Sequence, residues 1–417
     1  MNLFYSIGTK AYHLLIRVSS PFNQKAKSWI DGRKNLSQQI SNLKIDKPLI
    51  WFHCASLGEF EQGMPIMEEF KMTNPSWLVL VTFYSPSGFD VRKNTDVADF
   101  VFYLPVENPT NISMFLDKVK PKIAVFVKYE FWYGYMQALV QREIPLIFVS
   151  SSFRKSQIFF KPYGKWFLNQ LKSVTQFFVQ EQNSKDLLLQ RGIEKVIVSG
   201  DTRFDRVYET MITNERLPEV EIFKGSTKVL IFGSAWQKET EFALQIINLL
   251  PPNWKVIYAP HEIDLKKMQE FENQLNCQFI RFSELIDFIG EDSKVLIVDT
   301  VGHLARIYKY GDFALVGGGF DDGIHNILEP LTFNVPVCFG PNHSGFGEAK
   351  DAMASGVGFE INSFGDFENK FNYYNRNQDE LELIKVKCEN FIHERRGATA
   401  IISQYINKLA KSISSQI

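Results

Sequence analysis

Cysteine is scarce in this chain, and no two cysteines stand close together. Four of the 417 residues are cysteine, and none belongs to a C-x-x-C pair: Cys54, Cys277, Cys338 and Cys388. This spacing argues against a zinc site and a disulfide framework, and it indicates a reducing compartment. His53 precedes Cys54, but neighbours on a strand point to opposite faces, so we expect a buried cysteine here and no catalytic thiol–imidazole pair.

A hydrophobic run long enough to cross a bilayer is also missing from the N-terminal region, and so is an excess of charge of one sign. The longest apolar run there is residues 14–16, whereas a spanning helix needs about 20 apolar residues. The net charge of −1 gives nucleic acid no overall electrostatic attraction. The length and the 45% content of hydrophobic residues predict a globular protein of two or three domains.

The first 34 residues nevertheless combine positive charge with apolar and aromatic side chains. They carry six basic side chains and only one acidic one, Asp31. This composition is typical of an amphipathic helix that lies on an anionic membrane surface. We therefore predict that residues 1–40 form a membrane-associating segment. An ordinary N-terminal helix docked on the following domain is the alternative.

Short apolar segments alternate with helical ones along the rest of the chain. In the first half they are 49–54, 77–83, 100–104, 123–127, 146–150, 177–180 and 196–199, and in the second half 229–232, 256–259, 295–298, 313–317 and 335–339. This alternation predicts an α/β protein with two Rossmann-like domains, each a parallel sheet flanked by helices, that face a central cleft. Ligands of such domains bind at the carboxyl ends of the strands.

The predicted domain boundaries follow the same pattern. After the segment 1–40 we expect a first domain at 41–212, a polar linker at 213–224, a second domain at 225–390 and a C-terminal helix at 391–417 that crosses back to the first domain.

A glycine cluster marks the end of a predicted strand in the second domain. Residues 317–319 are all glycine, and a helix is predicted to open near Asn326. Glycines let backbone N–H groups approach a phosphate, and a helix N-terminus attracts the same anion. Glu329 shares a helix face with Asn326 and can accept hydrogen bonds from ribose hydroxyls. The cluster therefore predicts a nucleotide-sugar donor site, and structural glycines in a turn are the alternative.

Two other predicted strand ends of the second domain carry candidate donor-binding residues. Gly233 and Ser234 follow one strand and expose N–H groups in a second anion-binding geometry. His261 follows the next strand, where it can bind a phosphate or a base or have a structural role only.

In the first domain, Ser56 and Gly58 form a turn after the first strand, and Glu59 opens a helix whose dipole favours the ionised carboxylate. Such a carboxylate can accept a proton, although acidic residues are common at helix starts.

Residues 128–133 follow another strand and combine Lys128 and Glu130 with three aromatic side chains. They suit a sugar or an acyl chain with a polar headgroup, or else form a packing cluster under the N-terminal helix.

Residues 150–156 supply hydroxyls and two cations, one of them Arg154, at a further strand end of the first domain. This combination suits an anionic acceptor, and a solvated loop is the alternative.

Taken in order, seven segments resemble the Kdo transferases, which move 3-deoxy-D-manno-octulosonic acid (Kdo) from CMP-Kdo to a lipid A precursor. The resemblance extends along nearly the whole chain, and its most specific part is the last segment, His-Asn-x-Leu-Glu-Pro. The segments are 51–59, 130–132, 152–156, 200–205, 233–234, 299–302 and 325–330.

The resemblance implies a GT-B fold, with the acceptor bound by the first domain and CMP-Kdo by the second. It implies an inverting enzyme without metal or other cofactor, at the cytoplasmic face of the bacterial inner membrane. Glu59 corresponds to the general base of the family, and Glu329 to the ribose ligand. The implied donor-binding residues are Gly233, Ser234, His261, Gly318, Gly319, His325, Asn326 and Glu329, and the implied acceptor-binding residues are Ser56, Gly58, Lys128, Glu130 and Arg154.

Some positions depart from the family pattern. Lys128 stands where many members have an acid, and no arginine precedes His261 as it does elsewhere. Lys128 or Arg203 is expected to supply the missing positive charge. Tyr133, His303 and Ile324 replace other common residues.

Two alternative functions share the ribose-binding glutamate of the resemblance. They are a GT-B nucleotide-sugar epimerase and a glycosyltransferase that uses a nucleoside-diphosphate donor. A non-catalytic, membrane-associated nucleotide-binding protein is a third alternative.

Overall fold

The computed structural model describes residues 3–213, 215–285 and 293–415. The chain divides into two compact units, one of Met1–Arg206 with Arg396–Ile417 and one of Val207–Arg395. Each unit contains one seven-stranded sheet in which all paired strands are parallel. The prediction of two Rossmann-like α/β domains is therefore confirmed.

The sheet of the first unit has the strand order β3-β2-β1-β4-β5-β6-β7. All seven strands coincide with predicted ones to within two residues at each end. Because helices cover both faces of the sheet, its central strands are continuous apolar runs, and every residue of β1 and β4 is buried. The strands are β1 (Leu49–Cys54), β2 (Leu78–Phe83), β3 (Phe100–Tyr103), β4 (Ile123–Val127), β5 (Leu146–Ser151), β6 (Gln176–Val179) and β7 (Val196–Val198).

Helices α1 to α10 belong to the first half of the chain. They are α1 (Leu3–Ser19), α2 (Gln24–Asp31), α3 (Leu36–Ser41), α4 (Leu57–Thr73), α5 (Pro86–Arg92), α6 (Pro109–Val119), α7 (Tyr133–Gln141), α8 (Lys165–Leu171), α9 (Gln182–Leu189) and α10 (Thr202–Ile212). No helix among the described residues is long and apolar enough to cross a membrane.

The N-terminal segment is anchored on the first unit by two polar side chains. Tyr5 of α1 donates a hydrogen bond of 2.5 Å to Glu107. The guanidinium of Arg33 lies 4.0 Å from the ring centroid of Trp29 and donates to backbone oxygens of Leu104 and Tyr84. These contacts fix one side of the segment on the domain, as the docked-helix alternative requires.

The sheet of the second unit has the order β10-β11-β9-β8-β12-β13-β14. Its two edge strands, β10 and β14, were not predicted, because each has only three residues and only one of them is buried. The strands are β8 (Lys228–Ala235), β9 (Trp254–Pro260), β10 (Phe279–Arg281), β11 (Val295–Ile297), β12 (Phe313–Val316), β13 (Val337–Phe339) and β14 (Gly358–Glu360).

Part of the predicted linker 213–224 is helical. Pro218 opens the short helix α11, and Lys224 at its end pairs with Asp312 at 3.1 Å. The helices of this part of the chain are α11 (Pro218–Lys224), α12 (Gln237–Ile247), α13 (Leu265–Glu272), α14 (Leu304–Ile307), α15 (Leu328–Thr332), α16 (Gly347–Ala354), α17 (Phe364–Arg376) and α18 (Gln378–His393).

The last helix, α19 (Ala398–Ser414), belongs to the first unit. Its buried residues Ile402, Ile406 and Ala410 pack in the same apolar cluster as residues of β1, β2 and α4. Asp205 accepts hydrogen bonds from the backbone N–H groups of Gly397 and Thr399, which caps the start of this helix.

Candidate functional site

Glu59 lies in the first turn of α4, directly after the carboxyl end of β1. The backbone N–H and the hydroxyl of Ser56 both donate to its Oε2 atom, at 2.7 and 2.5 Å. Burial raises the pKa of Glu59, and the negative charge of Glu130 raises it further. From the sequence, only the helix dipole was expected to act on Glu59, and the dipole favours the ionised form. Since desolvation is the largest influence and the pKa is raised, the carboxylate is a stronger base than an exposed one.

Glu130 and Lys128 follow β4, which pairs directly with β1. Lys128 adopts a left-handed backbone conformation with φ of 67°. Its positive charge lowers the pKa of Glu59 and so opposes the effect of Glu130. Whether Lys128 or Arg203 supplies the missing positive charge to a substrate stays a prediction. Arg203 pairs with Asp201 at 2.6 Å.

The buried side chain of His53 contacts Glu130. The Oε2 atom of Glu130 accepts a hydrogen bond of 2.7 Å from the indole of Trp132 and lies 3.2 Å from Nε2 of His53. The other ring nitrogen of His53 lies 2.9 Å from the hydroxyl of Thr82. Sequence reasoning was right to separate His53 from Cys54, but it missed this role. The only sign of this role in the sequence was a histidine within the otherwise apolar strand β1, close to Ser56 and Glu59.

The other predicted acceptor-binding residues occupy the same edge of this sheet. Gly58 lies in the first turn of α4, beside Glu59. Arg154 follows β5, the strand next to β4, with its backbone N–H donating to Gln157 at 2.9 Å. The side chain of Arg154 is exposed. The structure thus places Ser56, Gly58 and Arg154 with Lys128 and Glu130 at the carboxyl ends of three neighbouring strands.

In the second unit, the glycine cluster forms a tight loop after β12. Gly318 has φ of 86°, a conformation that other residues rarely adopt. A Cβ atom on Gly319 would lie 2.6 Å from the backbone nitrogen of Gly340. Gly233 and Ser234 lie within the adjacent strand β8, and Ser234 is also left-handed, with φ of 51°. Two strand ends therefore bring their backbones together here, as the anion-site prediction requires.

Three aromatic rings form a cluster beside this loop. Trp236 donates through Nε1 to Nε2 of His325 at 2.9 Å, and its ring stacks on His261 with centroids 4.5 Å apart. Because burial and the nearby His261 disfavour the protonated form, the pKa of His325 falls to about 4. His325 is thus neutral at physiological pH. Both histidines were predicted donor-binding residues, whereas Trp236, which contacts both, was not.

Asn326 and Glu329 lie side by side, as predicted. The Asn326 amide donates to Oε1 of Glu329 at 3.1 Å, and its own oxygen accepts from the backbone N–H of Leu328. The helix that follows, α15, begins at Leu328, two residues after Asn326, which itself precedes the helix. A further acid, Glu239 in the first turn of α12, is buried and accepts from the backbone N–H of Trp236 at 3.0 Å. Sequence reasoning assigned no role to it.

Within the part of the chain that the structure describes, no group of three or more histidine, cysteine, aspartate or glutamate side chains could hold a metal ion.

Each unit has a seven-stranded parallel sheet with small residues and polar side chains at its strand ends. Two such units define a protein of the GT-B class. A sequence comparison of the first unit indicates a narrower class. Residues 30–206 match the sequence profile of the family described as 3-deoxy-D-manno-octulosonic-acid transferase (kdotransferase).

Curated relatives support the same assignment over most of the chain. A 3-deoxy-D-manno-octulosonic acid transferase from Aquifex aeolicus is 26% identical, over 88% of this chain and 94% of that protein. A bifunctional glycosyltransferase/methyltransferase from Fusobacterium nucleatum is 28% identical over 85% of this chain, which spans only 57% of that longer protein. The predicted resemblance to the Kdo transferases is confirmed, since relatives of this name match most of the chain.

Solved structures show the fold. The UDP-GlcNAc 2-epimerase from Neisseria meningitidis, bound to UDP-GlcNAc, superposes with a TM-score of 0.61 over 87% of this chain and 100% of the epimerase chain. Its sequence identity to this chain is 16%. This similarity establishes a common architecture and nothing about the reaction.

Proposed function

We propose that this protein transfers Kdo from CMP-Kdo to a lipid A precursor with inversion, and that Glu59 is the general base. The observation that carries the proposal is the environment of Glu59. Within residues 30–206, which match the Kdo transferase profile, Glu59 is a partly buried carboxyl with a raised pKa, on which Glu130 and Lys128 act with opposite charges. A carboxylate of this kind can take a proton from a hydroxyl as the oxygen attacks.

The proposed chemical step uses Glu59, groups of the second unit that hold the phosphate, and the two substrates. A hydroxyl of the acceptor loses its proton to Glu59 while its oxygen forms a bond to the anomeric carbon of Kdo. The bond from that carbon to the phosphate oxygen of CMP breaks, and its electron pair leaves with CMP. Backbone N–H groups near Gly233, Ser234, Gly318 and Gly319, with Asn326, are the groups we assign to the departing phosphate. No metal ion takes part.

The pH dependence of kcat/KM is expected to shift in opposite directions in two variants. Since Glu59 acts as its carboxylate, kcat/KM rises with pH through the pKa of this group. Glu130→Gln removes a negative charge that raises this pKa, so the rise should move to lower pH. Lys128→Met removes a positive charge that lowers it, so the rise should move to higher pH. Shifts of the same sign, or none, in initial-rate profiles would contradict the assignment of the base.

We assign the N-terminal segment to an anionic membrane surface at the cytoplasmic face of the bacterial inner membrane. Several apolar side chains on and just after α1 are largely exposed, including Leu14 at 61%, Leu15 at 67% and Phe22 at 93%. Basic residues of the same segment, such as Arg17 and Lys25, lie near them in the sequence. Exposed apolar side chains among cations suit an interface of lipid headgroups and acyl chains.

Leu15→Glu is expected to weaken binding to vesicles that contain anionic lipid by about tenfold, because one buried leucine contributes about 1.5–3 kcal/mol. Leu265→Glu is the matched control, since Leu265 in the second unit is 71% exposed. Co-sedimentation with vesicles measures both. Equal binding of the Leu15 and Leu265 variants would show that α1 does not enter the interface.

The reaction itself is tested by NMR of the product formed from CMP-Kdo and an acylated glucosamine disaccharide. We expect transferred Kdo with an anomeric configuration opposite to that in the donor. Retention would contradict the single-displacement step. A change in the donor sugar without any acceptor would instead indicate a nucleotide-sugar epimerase.

A further inference from the structure

The hydrogen bond between Trp236 and His325 determines which ring nitrogen of the histidine carries the proton. An indole N–H can donate a hydrogen bond and cannot accept one. Because Nε1 of Trp236 lies 2.9 Å from Nε2 of His325, this Nε2 atom is the acceptor and has no proton. The single proton of the imidazole therefore lies on Nδ1. A protonated imidazole could not accept this bond, and the low pKa of His325, about 4, also excludes it at neutral pH.

The indole of Trp236 is held in a fixed orientation by contacts on its ring and its backbone. Its ring stacks on His261, with centroids 4.5 Å apart and ring planes at 19°. Its backbone N–H donates to the buried carboxylate of Glu239 at 3.0 Å. Its backbone oxygen accepts a hydrogen bond of 2.7 Å from the hydroxyl of Thr240. The direction in which the indole donates is therefore set by the start of α12 and by the stacked histidine.

The proton on Nδ1 of His325 is left for a ligand or for water. Among the residues that the structure describes, no group accepts a hydrogen bond from this nitrogen. The backbone N–H of His325 donates to Gly317 at 3.0 Å. A Cβ atom on Gly318 would lie 3.1 Å from Cδ2 of the same ring. A half-buried donor without a protein partner thus lies against the glycine loop that we have assigned to the phosphate.

We propose that His325 donates through Nδ1 to the phosphate of the bound nucleotide, and that Trp236 is the positioning residue that keeps the proton on Nδ1. The identification of the ligand as CMP rests on the proposed function. His325 then binds the phosphate as a neutral donor and transfers no proton to it when CMP departs. Without the indole N–H, the proton divides between the two nitrogens. The tautomer that has a lone pair at Nδ1 cannot donate to the phosphate.

The position of the proton is tested by NMR of protein labelled with 15N in its seven histidines. An unprotonated ring nitrogen resonates far downfield of a protonated one, and His325→Asn identifies the signals of His325 by their loss. We expect a protonated Nδ1 and an unprotonated Nε2 in the wild type. Trp236→Phe keeps an aromatic ring beside His261 but removes the N–H, so both nitrogens should show intermediate shifts.

Trp254→Phe is the matched control for the spectra. Trp254 lies in the same unit and also donates through its indole, to Asn375 at 2.8 Å. It begins β9, whereas His261 follows the other end of this strand. The signals of His325 should stay as they are in the wild type. A protonated Nε2 in the wild type, or signals that Trp236→Phe leaves unchanged, would overturn the role of Trp236.

The contact with the phosphate is tested by calorimetric titration with CMP and with cytidine, because the ratio of the two affinities isolates the phosphate. We expect this ratio to fall about tenfold in His325→Gln, which lacks a donor at the place of Nδ1. It should stay within about threefold of the wild type in His325→Asn, whose amide nitrogen lies close to that place. In Trp236→Phe the ratio should fall only about two- to fivefold, because the phosphate itself selects the tautomer that can donate.

The outcomes separate this inference from the proposed function. An unchanged ratio in His325→Gln, or equal losses in His325→Gln and His325→Asn, would overturn the contact between Nδ1 and the phosphate. A wild-type protein that binds CMP but transfers no Kdo would contradict the proposed function and leave this inference standing. If the wild type binds no CMP, both the proposed donor and the role of Nδ1 are wrong, and the spectra still decide the role of Trp236.

Discussion

Glu59→Gln should lower kcat for Kdo transfer by about two to four orders of magnitude, the usual contribution of a general base. The amide oxygen can still accept the hydrogen bonds that Ser56 donates, so the start of α4 should stay folded. The phosphate contacts that we propose lie in the second unit, so the affinity for CMP should not change. Initial rates at saturating substrates measure the first effect, and calorimetry the second.

A glutamate of the same helix provides the control for this variant. Glu69 is partly buried in α4 and lies ten positions beyond Glu59. Glu69→Gln should retain wild-type kcat. If kcat of Glu59→Gln falls by less than about threefold, Glu59 is not the base, and the proposed chemical step is wrong.

Gly319→Ala is expected to have the largest effect on the second unit. The added Cβ would lie 2.6 to 2.9 Å from three backbone atoms of Gly340, which cannot move aside as the end of a side chain can. The oxygen of Gly319 also accepts a hydrogen bond from the backbone of Asn342 at 2.8 Å. We expect the free energy of unfolding to fall by about 2–3 kcal/mol and the affinity for CMP to fall more than tenfold.

Gly345→Ala is the matched control for this variant, since a Cβ at Gly345 would meet no atom within 4 Å. Denaturant unfolding and calorimetric titration with CMP should leave this control close to the wild type. If Gly319→Ala keeps both wild-type stability and wild-type affinity for CMP, the loop does not hold the phosphate in the way that we propose.

Local sequence patterns were sufficient for most of the fold. The apolar run that became β1 and the three glycines after β12 carry their signal within a few residues, and both lie where predicted. Strands β10 and β14 escaped prediction because three residues at a sheet edge show no periodicity. Likewise, residues 218–224 were too polar to be recognised as the helix α11.

The parts of the site that were missed depend on contacts between distant positions. His53 contacts Glu130 across a sequence separation of 77 residues. Trp236 contacts His325 across a separation of 89 residues. No pattern along the chain reveals such pairs. The pKa of Glu59 is a similar case, because the helix dipole is visible in the sequence whereas burial and the charge of Glu130 are properties of the folded domain.

The most direct test of the central claim is the stoichiometry of one reaction, followed by mass spectrometry of the acceptor and chromatography of the nucleotide. The wild-type protein is incubated with CMP-Kdo and an acylated glucosamine disaccharide. We expect the acceptor to gain Kdo and one CMP to be released for each Kdo transferred. Release of CMP with no change in the mass of the acceptor would contradict it, because the donor would then be hydrolysed and no sugar transferred.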